Sequence, residues 1–163
     1  MEIRKTREEE LPILIRMYEE ARQFMRETGN PNQWGTTNPP REKIACDIAQ
    51  GKSYVCEVDG QIVATFFFDV TDDPTYAYIE DGEWMDNSPY GVVHRITTDR
   101  KTKGAASFCL EWALRQAGGH LRIDTHKDNR IMQKLLAKNG FIYRGIIYVE
   151  DGTSRLAFEK ITR

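Results

Sequence analysis

Between Glu8 and Glu27 the positions Leu11, Leu14, Ile15, Tyr18, Ala21, Arg22 and Met25 recur at steps of three and four. That spacing lays one stripe along a helix. Pro12 falls in its first turn, where a missing N–H costs little. Ahead of it Glu2–Thr6 reads as a first strand, and Gly29-Asn30-Pro31 stops the helix. Asn30–Pro40, with Gly35 and its prolines, reads as a loop carrying one large aromatic, Trp34. A short helix follows over Arg41–Gln50, ended by Gly51. The period then drops to two. Ser53–Val58 and Gln61–Val70 are β-rich runs around Asp59-Gly60, the strongest short hairpin signal, and Phe66-Phe67-Phe68 reads as strand buried on both faces.

Residues 71–90 form an acidic, aromatic connection, long enough to be functional or to hold a short helix. Gly91–Thr98 is a strand, Lys103–Ala117 a helix broken by Gly118-Gly119, and His120–Thr125 a strand. Asn129–Asn139 is a helix stopped by Gly140. Phe141–Glu150 and Ser154–Glu159 are strands around a second Asp-Gly turn. The order β-α-α-β-β-β-α-β-α-β-β predicts an α/β chain built on a mixed sheet. The chain has 163 residues, and with no repeat or linker it reads as one domain over 1–163.

Hydrophobic types at 40% and aromatics at 10% supply a core and exclude disorder. Twenty-three Lys and Arg stand against 25 Asp and Glu, a net charge of −2. That balance predicts no nucleic-acid partner and no anionic membrane partner, so any polyanion must be held locally. Cys46, Cys56 and Cys109 are odd in number and far apart, which points to reduced thiols and to no metal site. The start MEIRKTREEE lacks the apolar run of a signal peptide, and no stretch of about 18 apolar residues occurs. A cytoplasmic protein is expected.

Chemistry concentrates in Tyr90–Ala117. A strand runs into Lys101-Thr102-Lys103-Gly104-Ala105-Ala106-Ser107, which opens a helix. The first N–H groups of a helix lack internal partners and carry a partial positive charge. Small residues at 104–107 let an anion approach them, and Lys101 and Lys103 add charge, so the turn suits a pyrophosphate. The same Gly-Ala-Ala-Ser start is equally what close packing against a sheet requires. It matches neither GxxxxGK[ST] nor GxGxxG, which disfavours ATP and NAD.

The next unit, His120–Phe141, runs strand, polar turn, helix and Gly-Phe. Together the two units resemble the GCN5-related N-acetyltransferase (GNAT) family. Lys101-x-x-Gly104-x-Ala106 sits on that family's Arg/Gln-x-x-Gly-x-Gly/Ala motif. Asn129, eleven residues before Gly140, sits on its second motif. YGVVHRI, IDTHKDN and YVEDGTSRLAFEK look like a bacterial branch of these acetyltransferases, and the resemblance covers nearly the whole chain. It implies a mostly antiparallel sheet with one splayed parallel pair, about four flanking helices, and acetyl-CoA as co-substrate. It also implies that Ile96 and Thr98 pair with the pantetheine arm, that Lys101, Lys103, Gly104, Ala105, Ala106 and Ser107 take the pyrophosphate, and that Asn129 closes the other wall. Two positions depart from the family. Lys101 lacks the fork of Arg, and Leu136 stands where a Tyr often protonates the leaving thiolate.

Acetyl transfer to an amine needs a base, because a free alkylamine is protonated at pH 7. If Ile96 faces the cofactor, strand alternation puts His94, Val92 and Tyr90 on its face. Histidine titrates near about 6.5, which suits His94 as the base, although a hydrogen-bonded strand histidine fits equally. Tyr90 and Glu80 are further catalytic candidates, while His126 belongs to turn chemistry. Trp34, Glu80 and Trp84 are candidate substrate-binding residues, the two tryptophans alternatively being loop anchors. Cys109, two turns inside a helix without a basic partner, is not a nucleophile. The expected partners are acetyl-CoA and an amine acceptor, and an edge strand of the closing hairpin offers a route to a homodimer. The sequence leaves three readings: an N-acetyltransferase, an acyl-CoA-binding module without catalysis (which Leu136 favours), and an interaction protein whose helix start merely packs.

Overall fold

The alternation and turn chemistry read above fold into seven strands and four α-helices. The structure, a computed structural model, describes residues 1–162; Arg163, the end of the expected domain, lies outside the described residues. The strands are β1 (Glu2–Lys5), β2 (Ser53–Val58), β3 (Gln61–Val70), β4 (Gly91–Thr98), β5 (His120–Thr125), β6 (Ile142–Tyr148) and β7 (Ser154–Ile161). The helices are α1 (Leu11–Glu27), α2 (Arg41–Ala49), α3 (Ala105–Gln116) and α4 (Arg130–Lys138). One sheet has the order β1-β2-β3-β4-β5-β7-β6. Every neighbour is antiparallel except β4 and β5, which the α3 crossover makes parallel. Among the described residues no helix is long and apolar enough to cross a membrane.

Local chemistry accounts for the bounds. Asp59 (φ 51°) and Gly60 (φ 77°) both take the left-handed conformation that a two-residue type I′ hairpin demands. The first helix starts at Leu11 rather than Glu8 because Glu10 turns back, accepting from the Arg7 amide at 2.7 Å and from Arg4 at 2.9 and 2.8 Å. The third helix starts at Ala105 rather than Lys103 because Gly104 is left-handed (φ 79°). Residues 71–90 hold only a 3₁₀ turn, Pro74–Tyr76. The last strand runs past Glu159 because Ile161 still pairs with His120.

The sheet is covered differently on its two faces. On one, α3 and α4 bury Phe66, Phe68, Val93, Leu110, Ile123 and Leu136 in a continuous core. On the other, α1 and α2 cover β2 and β3 through Leu14, Tyr18, Ile44 and Val55. The 71–90 connection covers the second half of that face, with Tyr76, Tyr90, Val92, Ile147 and Ala157 packed together.

The outer edge of β6 is where the connection docks. Glu80 exchanges two backbone hydrogen bonds with Ile146, at 2.8 and 2.9 Å. Only glycine fits there: a Cβ on Gly145 would lie 2.4 Å from the Glu80 carbonyl oxygen, and one on Gly82 would lie 1.8 Å from that of Arg144. At Ile146 the chain's own segment thus takes up part of the hairpin edge, while Ile142, Tyr143 and Tyr148 on the same strand are exposed.

Candidate functional site

The parallel pair does not stay paired. β4 and β5 share register only at Gly91–Leu121 and Val92–Arg122. Beyond those rungs the strands part, which leaves the β5-facing edge of residues 93–98 without a strand partner. A cleft of about 770 Å³ opens there. Val93, Ile96 and Ile123 line its inner part, Asn129 and Met132 its α4 side, and Trp34 and Pro39 its mouth.

The expected alternation along β4 fails at one point. Arg95 has φ 54°, and Phe66 of β3 faces the pair Arg95–Ile96, since register passes from Phe67–His94 to Thr65–Thr97. Such a β-bulge resets which face the following side chains take. His94 therefore stays on the face of Tyr90 and Val92, while Ile96 packs with Val93 against the α3 side. The prediction that Ile96 and His94 share a face is thereby corrected. The strain at Arg95 is held by three contacts. Its guanidinium meets Asp47 at 2.6 Å and lies 4.9 Å over the Phe67 ring, and its carbonyl accepts from Tyr18 Oη at 2.8 Å.

His94 stands between two carboxylates. Its Nε2 lies 2.6 Å from Asp73 Oδ2, and its Nδ1 lies 4.0 Å from Asp124 Oδ2. Asp124 also accepts from the buried Tyr76 hydroxyl at 2.7 Å. Burial works to raise the Asp73 carboxyl, but hydrogen bonds from His94 and from the amide and hydroxyl of Thr75 prevail and hold it at about 2, against a usual 3.8. A carboxyl lowered in the folded state contributes stability above its usual value and loses it as pH falls through the lowered one. Asp73→Asn should therefore cost roughly 2 kcal/mol at pH 7, and the deficit should close between about pH 4 and pH 2. Denaturant unfolding at pH 7, 4 and 2 checks this. A deficit unchanged at pH 2 refutes it.

The remaining candidates divide. Trp34 reaches the cleft and packs edge-on against Tyr18, with ring centroids 5.5 Å apart. Tyr90, Trp84 and Glu80 do not line it. The Tyr90 hydroxyl accepts from the Asp73 amide at 2.9 Å, so it braces the turn that bears Asp73. The Trp84 indole donates to the Tyr76 carbonyl at 2.8 Å, and the Glu80 carboxylate accepts from Tyr148 on the β6 side. An acidic aromatic segment looks like a substrate loop in sequence; here Tyr76, Trp84 and Tyr90 pack on the sheet as anchors, and Tyr78 is exposed. His126 Nδ1 accepts from the Asp128 amide at 3.0 Å, which is turn chemistry.

Three cleft residues escaped the sequence reading. Asp73 and Asp124 carried signals of their own, an Asp-Pro turn and a strand-end Asp two residues before a His, but nothing local links them to His94. Arg155, from β7, gave none.

The two helix starts differ: Asn129 at the start of α4 lines the cleft, whereas Thr98, Lys101 and the α3 start at Lys103–Ser107 lie outside its lining. Asn129 caps α4, its side-chain oxygen accepting from the Met132 amide at 3.0 Å while its amide donates to Gln33 at 2.9 Å. The N-terminus of α3 has no side-chain cap, and a Cβ on Gly104 would meet nothing within 4 Å. The Lys101 and Thr102 amides are already taken by the Asp99 carboxylate, at 3.0 and 2.9 Å. An anion would therefore meet the first turn of α3 itself, Gly104 to Ser107, with Lys101 and Lys103 flanking it. Ser107 Oγ accepts from Asn139 at 3.0 Å, which orients it toward α4. Thr98 pairs with Ala64 on the β3 side, leaving its other edge open. Leu136 is fully buried in the core.

Comparison with known proteins gives the family and the fold. Residues 14–141 match the family model described as Acetyltransferase (GNAT) family. The chain is similar to a crystal structure of a GNAT-family acetyltransferase from Streptococcus agalactiae 2603, at 30% identity and TM-score 0.90, covering 99% of this chain and 95% of that one. A Staphylococcus aureus Mu50 protein described as an acetyltransferase matches at 26% identity and TM-score 0.71, over 99% of each chain. A GNAT-family acetyltransferase from Listeria monocytogenes 4b F2365, 16% identical, shares the fold at TM-score 0.72, over 99% of this chain and 94% of that one. Among curated proteins no match is found. With its split parallel pair, its uncapped helix start and a family match over most of its length, this chain belongs to the acetyltransferase (GNAT) family.

Proposed function

We propose that the protein transfers the acetyl group of acetyl-CoA directly to a primary amine of a small molecule or peptide, both substrates being held in the cleft at once. The observation that carries this reading is the His94 imidazole set between Asp73 and Asp124 where β4 and β5 part. Acetyl-CoA supplies the acyl group as an activated thioester. The unpaired edge of Ile96 and Thr98 suits its amide-rich arm, and the first turn of α3 suits its pyrophosphate. Asn129, tied to Gln33, closes the opposite wall.

The amine side follows from the two carboxylates. With Nε2–H donated to Asp73, the Nδ1 lone pair of His94 faces the cleft, as a base oriented by a carboxylate must. The Nδ1–Asp124 separation of 4.0 Å is too long for a hydrogen bond, so an ammonium can donate to both groups. Asp124 then holds the cation and His94 accepts its proton, freeing the nitrogen lone pair to attack the thioester carbon; the carbon–sulfur bond breaks, and coenzyme A leaves as a thiolate that takes up the proton shed by the new amide nitrogen.

The test is an amine panel followed by thiol release. Amine-dependent release supports the reading. Tight acetyl-CoA binding with no release by any amine supports the second reading, an acyl-CoA-binding module, which buried Leu136 favours because that position offers no proton to sulfur. The cofactor half has its own check. Gly104→Leu should weaken acetyl-CoA binding more than about 10-fold by calorimetry, because the side chain fills the space before the α3 amides, while the left-handed backbone costs about 1–2 kcal/mol of stability. Unchanged affinity would place the pyrophosphate elsewhere.

A further inference from the structure

Arg155 is 8% exposed and lines the same cleft. Its guanidinium donates to Thr153 Oγ1 at 3.0 Å, to the Ser154 carbonyl at 2.8 Å and to the Gln33 carbonyl at 3.2 Å. All three acceptors are neutral. The other well-buried guanidiniums each meet a carboxylate: Arg4 meets Glu10 and Glu57, Arg95 meets Asp47, and Arg122 and Arg144 meet Glu159. Arg155 forms no ion pair within 4.0 Å among the described residues. A buried cation left in that state is costly unless a counter-charge arrives. Burial draws its pKa below the ordinary arginine value, and only the more distant Asp124 and Asp151 oppose that.

Its position explains what the counter-charge is for. On β7, Ala157 is paired with Asp124 and Leu156 with Thr125. Arg155 and Ala157 are two apart, so Arg155 projects on the face of Asp124, the face that also bears His94. Beside the pair suited to an ammonium stands a guanidinium suited to an anion. The carboxylates Asp69, Asp72, Asp73, Asp124, Glu150 and Asp151 line the cleft against the cations Lys43, Lys52, Arg95 and Arg155, an excess of negative charge that would oppose a dianion such as a phosphate ester more than a monoanion. A carboxylate carries one charge and matches the guanidinium fork.

We propose that Arg155 binds the carboxylate of the acceptor, so that the acceptor is an amino acid whose amine lies toward His94 and Asp124. This inference rests on the acetyltransferase reading for the amine, but its test does not need turnover. The protein saturated with CoA is titrated calorimetrically with α-amino acids, and with ω-amino acids of increasing length, each as free acid and as carboxamide. The best free acid should bind about 10- to 100-fold more tightly than its carboxamide, the range of a hydrogen bond to a charged group. Arg155→Gln should erase that difference while leaving CoA affinity and carboxamide binding within about twofold. Arg155→Lys, which keeps the charge, should retain part of the preference should Arg155→Gln fail to fold. Equal affinity of acid and carboxamide, no binding by any amino acid, or a preference that survives Arg155→Gln overturns the proposal. Acid-selective binding without acetylation would uphold Arg155 and overturn the catalytic reading. Acetylation of amines regardless of a carboxylate would do the reverse.

Discussion

Replacing Glu159 with Ala is expected to cost about 3–5 kcal/mol, the penalty for breaking a buried ionic cluster by removing one sign of charge. Glu159 is fully buried. One of its oxygens meets His120 Nε2 at 2.5 Å and Arg122 Nε at 3.0 Å, and the other accepts from Arg144 Nε at 3.0 Å and from the Met85 amide at 2.8 Å. Arg122 is further sandwiched, 4.2 Å from the Trp84 ring and 4.0 Å from the Tyr90 ring. Burial works to raise the Glu159 carboxyl, but His120, the Met85 amide and Arg122 lower it overall, so it stays ionised among its cations. Against a total stability of about 5–15 kcal/mol, the loss is a large fraction. Thermal melting should fall by about 10 °C, and hydrogen exchange at the Met85 amide should accelerate. Glu159→Gln keeps an oxygen for Met85 and should cost less. A Glu159→Ala protein that melts within about 2 °C of the original would show that the cluster does not hold the fold.

The cluster matters to the site through its place in the sheet. Arg122 is paired with Val92 in the last parallel rung before β4 and β5 part, and with Glu159 across β7. The ion pair therefore clamps the base of the split, and Met85 and Trp84 fasten the 71–90 connection at the same level. Exposure of the cleft by loosening this clamp is a structural effect, distinct from loss of the base.

Much of this could be read in advance, and the exceptions have physical causes. Helix stripes, glycine stops and Asp-Gly turns are local, so α1, the two hairpins and the α3–β5–α4 unit lie within a few residues of where periodicity puts them. The family resemblance rested on the same local motifs. What failed was non-local. The bulge at Arg95 depends on Asp47, Phe67 and Tyr18, residues from three other elements, and no alternation rule in β4 contains it. Glu159 stands as the last residue of an expected strand, and its side-chain partners His120, Arg122 and Arg144 come from β5 and β6. Trp84 and Glu80 carried the composition of a substrate loop, whereas Gly82 in that loop and Gly145 inside an expected strand let its later half dock on β6, outside the cleft lining. His94 was chosen through an alternation with Ile96 that the bulge breaks, and it stands at the site on its residue type alone; its carboxylates were missed because they arrive from a turn 21 residues before it and a strand 30 residues after it.

The largest effect on activity is expected from His94. On the proposed reading, His94→Gln should lower kcat by about 10²–10⁴-fold, the usual contribution of a positioned base, with acetyl-CoA affinity unchanged because the side chain lies on the opposite face from Ile96. The pH profile supplies the sharper discrimination. A positioned base takes the ammonium proton, so the original enzyme need not wait for the free amine. The variant should instead depend on the amine's own deprotonation and gain rate only at higher pH, where it narrows the gap. Asp124→Asn separates holding from proton removal: it weakens the grip on the ammonium and should raise the amine KM about 10-fold, with the smaller change in kcat. Asp73→Asn leaves Nε2–H oriented by a weaker acceptor and should reduce kcat with little change in KM. A His94→Gln enzyme that folds and keeps both its rate and its pH profile would remove the imidazole from the chemistry. The remaining candidate base would then be Asp124, whose carboxylate also faces the ammonium and would be the next residue to replace.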